Sequence, residues 1–189
     1  MSLYKERSVI MERDLFEMMQ TQSKEKAALS LLASNERTEQ FGLSLTSEDV
    51  EKLMVSRKES LKTHERIEFK SEVLQKLIDA FCDSVYLRQD NYVETLEQLQ
   101  DIFFEYKNEA EENLTDDELI TFMREQFDEI CCGDIDYLAN TCLERFCQAI
   151  RAGYEGYKES GGRGEYGQFS EEKRWDRDLY LSVLNELFW

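Results

Sequence analysis

Proline is absent from all 189 residues. Average usage near 5% would supply roughly nine, so its absence favours long uninterrupted helices over sandwiches, barrels and proline-punctuated linkers. Histidine occurs once, at His64. With leucine at position 61 and glutamate at 68, it completes neither H-E-x-x-H nor the E-x-x-H pairs of a di-iron bundle. Basic side chains are scarce: 23 Lys and Arg face 41 Asp and Glu, a formal net charge of -18. Such a surface repels phosphate, which argues against nucleic acid and anionic membranes as partners and leaves a basic protein open. Long apolar runs are missing too. The densest clusters, residues 27–33 and 119–123, fall far short of the roughly 20 residues that span a bilayer. The first twenty residues carry Lys5, Glu6, Arg7, Glu12, Arg13, Asp14 and Glu17, which interrupt any signal-peptide core. A cytoplasmic protein with five reduced cysteines is the expectation.

What is present is helical patterning. Residues 4–33 read as helix, with Val9, Leu15, Phe16, Met19, Leu29 and Leu32 as its apolar positions. Ser34, Asn35 and Gly42 mark a connection, and Thr46 with Asp49 forms a capping box that starts a second helix with Val50, Leu53, Met54 and Leu61 inward. Arg66-Ile67-Glu68-Phe69 alternates like a strand but is too short to build a sheet, so an extended connector is expected. Leu74, Leu77, Ile78, Phe81, Cys82 and Val85 recur at helical spacing. After Asp90 as a candidate cap, Tyr92, Leu96, Leu99, Phe103, Tyr106 and Ala110 fall within about 40° of one line. Asp90, Glu94, Glu97, Asp101, Glu105 and Glu112 take the opposite line. A second capping box, Thr115 with Glu118, opens a helix lined by Leu119, Ile120, Met123, Phe127, Ile130 and Cys131 and closed at Gly133. Asp134 opens the next, with Ile135, Leu138, Cys142, Phe146, Ala149 and Ile150 inward. Glycines then crowd the stretch 153–169 before a last helix capped by Ser170 and ending in Phe188 and Trp189. The expectation is an all-α protein, residues 1–189 forming a single-domain irregular helical bundle or orthogonal array of about seven helices, with an N-terminal helical segment over 1–34.

Chemistry-bearing patterns are few. Gly162-Arg163-Gly164-Glu165-Tyr166-Gly167 matches G-x-G-x-x-G, but a pyrophosphate loop must follow a buried strand, and here Tyr157-Lys158-Glu159-Ser160 is polar. Cys131, Cys132, Cys142 and Cys147 cluster within 17 positions, but adjacent Cys131 and Cys132 cannot easily both face one ion and His64 is remote in sequence, so those on core faces read as small buried hydrophobes. No G-x-S-x-G elbow or D-x-[DN]-x-[DN]-G calcium loop occurs. No catalytic, cofactor or metal set is therefore expected. Between Gln89 and Asp136, 16 acidic residues stand against Lys107 and Arg124 alone. Solvated outer faces account for such a stretch, and so does a docking face for a basic protein made of Asp90, Glu94, Glu97, Asp101 and Glu105. A second candidate surface, for a partner or small anionic ligand, combines Tyr154, Tyr157, Arg163, Tyr166, Arg174 and Trp175, residue types that dominate interface energetics.

The strings Asn35-Glu36-Arg37-Thr38, Ala80-Phe81-Cys82-Asp83-Ser84, Gln89-Asp90-Asn91-Tyr92 with Glu94-Thr95-Leu96, and Arg174-Trp175-Asp176 resemble a small bacterial family known only as a domain of unknown function. The resemblance runs from about Asn35 to the C-terminus. It implies a cytoplasmic bacterial protein and carries over no catalytic residue, ligand or partner. Two function classes follow from the residues. One is a non-enzymatic interaction or regulatory module that engages a basic protein or a second copy of itself. The other is an enzyme or small-ligand binder with a pocket near the glycine-rich stretch and the C-terminal helix.

Overall fold

Helix is the only regular structure a chain without proline and with this 3.6-residue periodicity forms here. The computed structural model describes residues 22, 24–68, 72–110 and 113–153, and among them there is no strand. The protein is all-α. Two compact units divide the chain: one takes the residues up to Asp83 with Leu87–Glu97, the other Ser84–Tyr86 with the residues from Gln98 onward.

In the first unit, α1 covers residues 24–33 and buries Leu31 completely. Leu29, expected inside, is 66% exposed; the apolar cluster offers several phases of the helix and the core takes Leu31. The expected connection at Ser34 to Gly42 contains a helical turn, α2 (Asn35–Thr38), and a tighter turn (Glu39–Phe41) that Gly42 ends in the left-handed region at φ 77°. Helix α3 (Ser47–Thr63) begins with the expected capping box. The Thr46 hydroxyl accepts from the Asp49 amide and the Asp49 carboxylate from the Thr46 amide. Val50 and Leu53 face inward, and His64 caps the C-terminal end. Residues 66–68 are extended without pairing, and Ile67 is 83% exposed. This connector is held by Glu68, whose carboxylate takes the Arg57 guanidinium at 2.7 Å and the Val73 amide at 2.9 Å. Helix α4 (Glu72–Phe81) buries Val73, Leu74, Leu77, Ile78 and Phe81. Because it stops at Phe81, the helical phase no longer governs Val85, which is 80% exposed instead of inward.

Helix α5 (Tyr92–Glu109) begins in the first unit and ends in the second. It starts after Asn91, one residue later than Asp90 would have capped it, and the Asn91 side chain accepts from the Arg88 amide at 2.8 Å. In the second unit, α6 (Asp116–Glu129) carries the second capping box, reciprocal between Thr115 and Glu118. Three acidic residues in its first turn also sit against the positive end of the helix dipole. Cys132 and Gly133, at φ 51° and 86°, turn the chain through two consecutive left-handed residues. Asp134 then accepts from the Tyr137 amide and opens α7 (Ile135–Tyr137). A six-residue π-helical segment (Leu138–Leu143) leads into α8 (Glu144–Arg151), and Gly153 ends it at φ 93°. Phe122 and Phe146 stack at 3.7 Å between ring centres.

Candidate functional site

The α5 sequence places its carboxylates by default, through what must be buried. Tyr92, Leu96, Leu99 and Ala110 are fully buried and Phe103 and Tyr106 nearly so, which leaves the other side of the helix to acid. Asp90, Glu94 and Glu105 are exposed; Glu97 and Asp101 are half-buried. Lys52 pairs with Glu97 at 3.1 Å and Arg88 with Asp90 at 3.2 Å, both too exposed to contribute more than a few tenths of a kcal/mol. Glu94 and Glu105 have no ion-pair partner among the described residues. The five residues share a helix side without converging on a pocket.

The two basic residues of the acid-rich stretch are turned onto the protein itself. Lys107 is 5% exposed; its ammonium donates to the Leu114 carbonyl and pairs with Asp116 at 3.0 Å. Arg124 pairs with Asp128 one turn along α6. Both carboxylates, Asp116 and Asp128, belong to α6 and not to the outer side of α5. Neighbouring titratable groups respond to burial and to the surrounding carboxylates together. Burial, then Glu105, Glu144, Cys147 and Glu109, push the Tyr106 phenol up to about 12; its hydroxyl donates to the Ala139 carbonyl at 2.6 Å. Burial, then Glu129, push Glu125 up to about 7.

A model of a family of unknown function (DUF6323) matches residues 30–156. The chain belongs to this family. No curated protein and no solved structure matches the chain. The DUF6323 match takes in the first three strings that carry the resemblance and stops before Arg174-Trp175-Asp176. Within it, those strings do structural work. Asn35 bonds the Leu45 amide and carbonyl, both at 2.8 Å. The Thr38 hydroxyl donates to the Leu43 carbonyl, Ser84 to Asp128, and Gln89 bonds the Ser44 amide and carbonyl. None of these contacts sets up a reaction.

The second candidate surface, Tyr154, Tyr157, Arg163, Tyr166, Arg174 and Trp175, lies outside the described residues, as do the G-x-G-x-x-G sequence and the expected last helix. All five cysteines are free thiols, and among the described residues no three His, Cys, Asp or Glu side chains are grouped to hold a metal ion. No described helix is long and apolar enough to cross a membrane. Sequence reading missed three buried polar side chains on α5: Thr95, Lys107, and Gln100, which is fully buried with neither amide atom hydrogen-bonded. At 100° per residue they lie about 60°, 60° and 80° from the Tyr92 line, on the flanks of the apolar stripe, and that angle was the available signal.

Proposed function

We propose that this protein is a non-enzymatic interaction module, regulatory in role and cytoplasmic, that docks a basic protein segment along the acidic side of α5. The observation that carries this reading is the fate of Lys107 and Arg124. Both are spent on Leu114, Asp116 and Asp128, none of them on the acidic side of α5, where Glu94 and Glu105 stand exposed and Lys52 and Arg88 pair with Glu97 and Asp90. A field of this kind speeds encounter with a cationic partner and makes binding salt-dependent. A second copy is a poor occupant of the same face, because a chain of net charge -18 repels itself there. Five free thiols fit a reducing compartment.

Affinity capture from host cells at low and high ionic strength, with mass spectrometry of what is retained, tests the proposal. Recovery of basic partners is expected to fall as the screening length drops below about 8 Å. The double variant Glu94→Lys with Glu105→Lys is expected to weaken retention about tenfold at low salt. Equal recovery at both salt concentrations, or from the double variant, removes the reading.

A further inference from the structure

Three of the five cysteines meet where α6 gives way to the π segment. Cys131 and Cys142 are buried, with their sulfurs 3.6 Å apart, and Cys132 is exposed beside them. The other two buried thiols, Cys82 and Cys147, have a carbonyl for a neighbour instead: Asp79 at 3.5 Å and Tyr106 at 3.7 Å. A disulfide requires a sulfur separation of about 2.05 Å, so the Cys131–Cys142 gap must close by roughly 1.5 Å.

The backbone on both sides is irregular enough to supply that movement. Cys131 leads into the two left-handed residues Cys132 and Gly133. Cys142 lies in the π segment Leu138–Leu143. A π turn holds an extra residue per loop of hydrogen bonding, is rare beyond a single turn, and recurs at functional positions. Relaxing one such turn shifts the side chains on it without unfolding the helices it joins.

We propose that Cys131 and Cys142 form a reversible dithiol–disulfide pair, closed by hydrogen peroxide and reopened by a low-molecular-weight thiol. On closing, the two S–H bonds and the peroxide O–O bond break and one S–S bond forms. Two electrons pass from the sulfurs to the peroxide, which takes both protons and leaves as two waters. On reopening, two molecules of the small thiol become its own disulfide and return two protons to the cysteines. Closure ties the end of α6 to the π segment eleven positions later and fixes the turn between them.

The resting state is the dithiol. Burial first, then Cys142, Asp134 and Cys132, push the Cys131 thiol up; burial pushes Cys142 up against the opposing pull of its contact with Cys131 and then of Arg145. Raised in this way, both sulfurs rest as thiols, and closing proceeds through the small thiolate fraction and is slow without added peroxide.

The test uses the full chain carrying Cys132→Ser, so that Cys131 is the one sulfur on its peptide. The protein is treated with hydrogen peroxide, alkylated, and cleaved before aspartate and after arginine, which separates residues 128–133, 136–145 and 146–151. The expected product joins 128–133 to 136–145, two hydrogens lighter than their sum, reverts with dithiothreitol, and is at least about tenfold more abundant than any link to Cys82 or Cys147. Adding Cys142→Ala, with helicity checked by circular dichroism, is expected to abolish it. Both peptides recovered separately, oxidised beyond the thiol or alkylated only after unfolding, would overturn the proposal. So would a dominant link to Cys82 or Cys147.

Discussion

In the first unit, the connector at Ser44 and Leu45 is held by side chains that imitate backbone. Asn35 offers its amide to both the N–H and the carbonyl of Leu45, and Gln89 does the same for Ser44, as a neighbouring strand would. In the second unit, connectors are held by positions that only one kind of residue fills. The turn after α6 needs a glycine, and the loop before α6 needs a buried ammonium reaching the Leu114 carbonyl and Asp116. Mimicry of this kind loses hydrogen bonds when it is removed, and water recovers part of the loss. A fixed position loses geometry, which water does not restore. Substitutions should therefore be costlier in the second unit.

Gly133→Ala is the severest test. Its φ is 86°, and an added Cβ would stand 2.7 Å from the Cβ of Tyr86, whose ring packs edge-on against Phe127. Left-handed strain and the clash together are expected to cost about 3 kcal/mol, read as a fall in the urea midpoint with an unchanged slope. A cost below about 1 kcal/mol would break the comparison. Lys107→Met keeps the aliphatic stem and removes the charge, leaving the Leu114 carbonyl without its buried donor. Asp116 is 40% exposed, so the expected loss is about 2 kcal/mol, below the range for a fully buried pair. Asn35→Ala, in the first unit, deletes both bonds to the buried Leu45 and is expected to cost about 1.5 kcal/mol in the same titration. If Asn35→Ala proves worse than Lys107→Met, amide mimicry is the firmer device and the ranking of the units reverses.

The features legible in the sequence are those whose partners lie within one helical turn. Thr46 and Asp49, Thr115 and Glu118, and Asp134 with the Tyr137 amide are three residues apart, so propensity and geometry name them together. The α5 stripe is legible because 18 residues repeat one period without interruption. Val85 shows where that logic ends: periodicity says nothing about where a helix stops, and α4 stops at Phe81. Asn35 bonds a residue 10 positions away and Gln89 one 45 away; nothing local marks either partner. The Cys131–Cys142 contact was hidden for a related reason. Periodicity places each sulfur on the inner face of its own element, but the two elements are separated by the turn at Cys132 and Gly133, and nothing local says that the two faces meet. Of the candidate site, the acid face was legible, since carboxylates opposite a buried stripe have nowhere else to go. The inward turn of Lys107 was not, because an ammonium at the stripe's flank is buried only when a loop brings it a carbonyl.

Glu125 refines the comparison from the electrostatic side. One of its carboxylate oxygens is buried without a hydrogen-bond partner in the second unit, and burial followed by Glu129 raises the group from its ordinary 4.5 to about 7. A carboxyl whose folded value stands above its unfolded one favours the fold while protonated. That stabilisation is complete below the unfolded value and disappears as pH climbs through the folded one. The protein should accordingly lose stability through Glu125 between about pH 4.5 and 7. Glu125→Gln, which cannot ionise, is expected to match the natural protein near the bottom of that window and exceed it at pH 8. The side chain is partly solvated, so the gain at pH 8 should be about 1 kcal/mol rather than the full conversion of the shift. Denaturant titrations of both proteins at the two ends of the window check it. A gain that is equal at both pH values would mean that packing, not charge, separates the two side chains, and would leave the second unit's rigidity a matter of geometry alone.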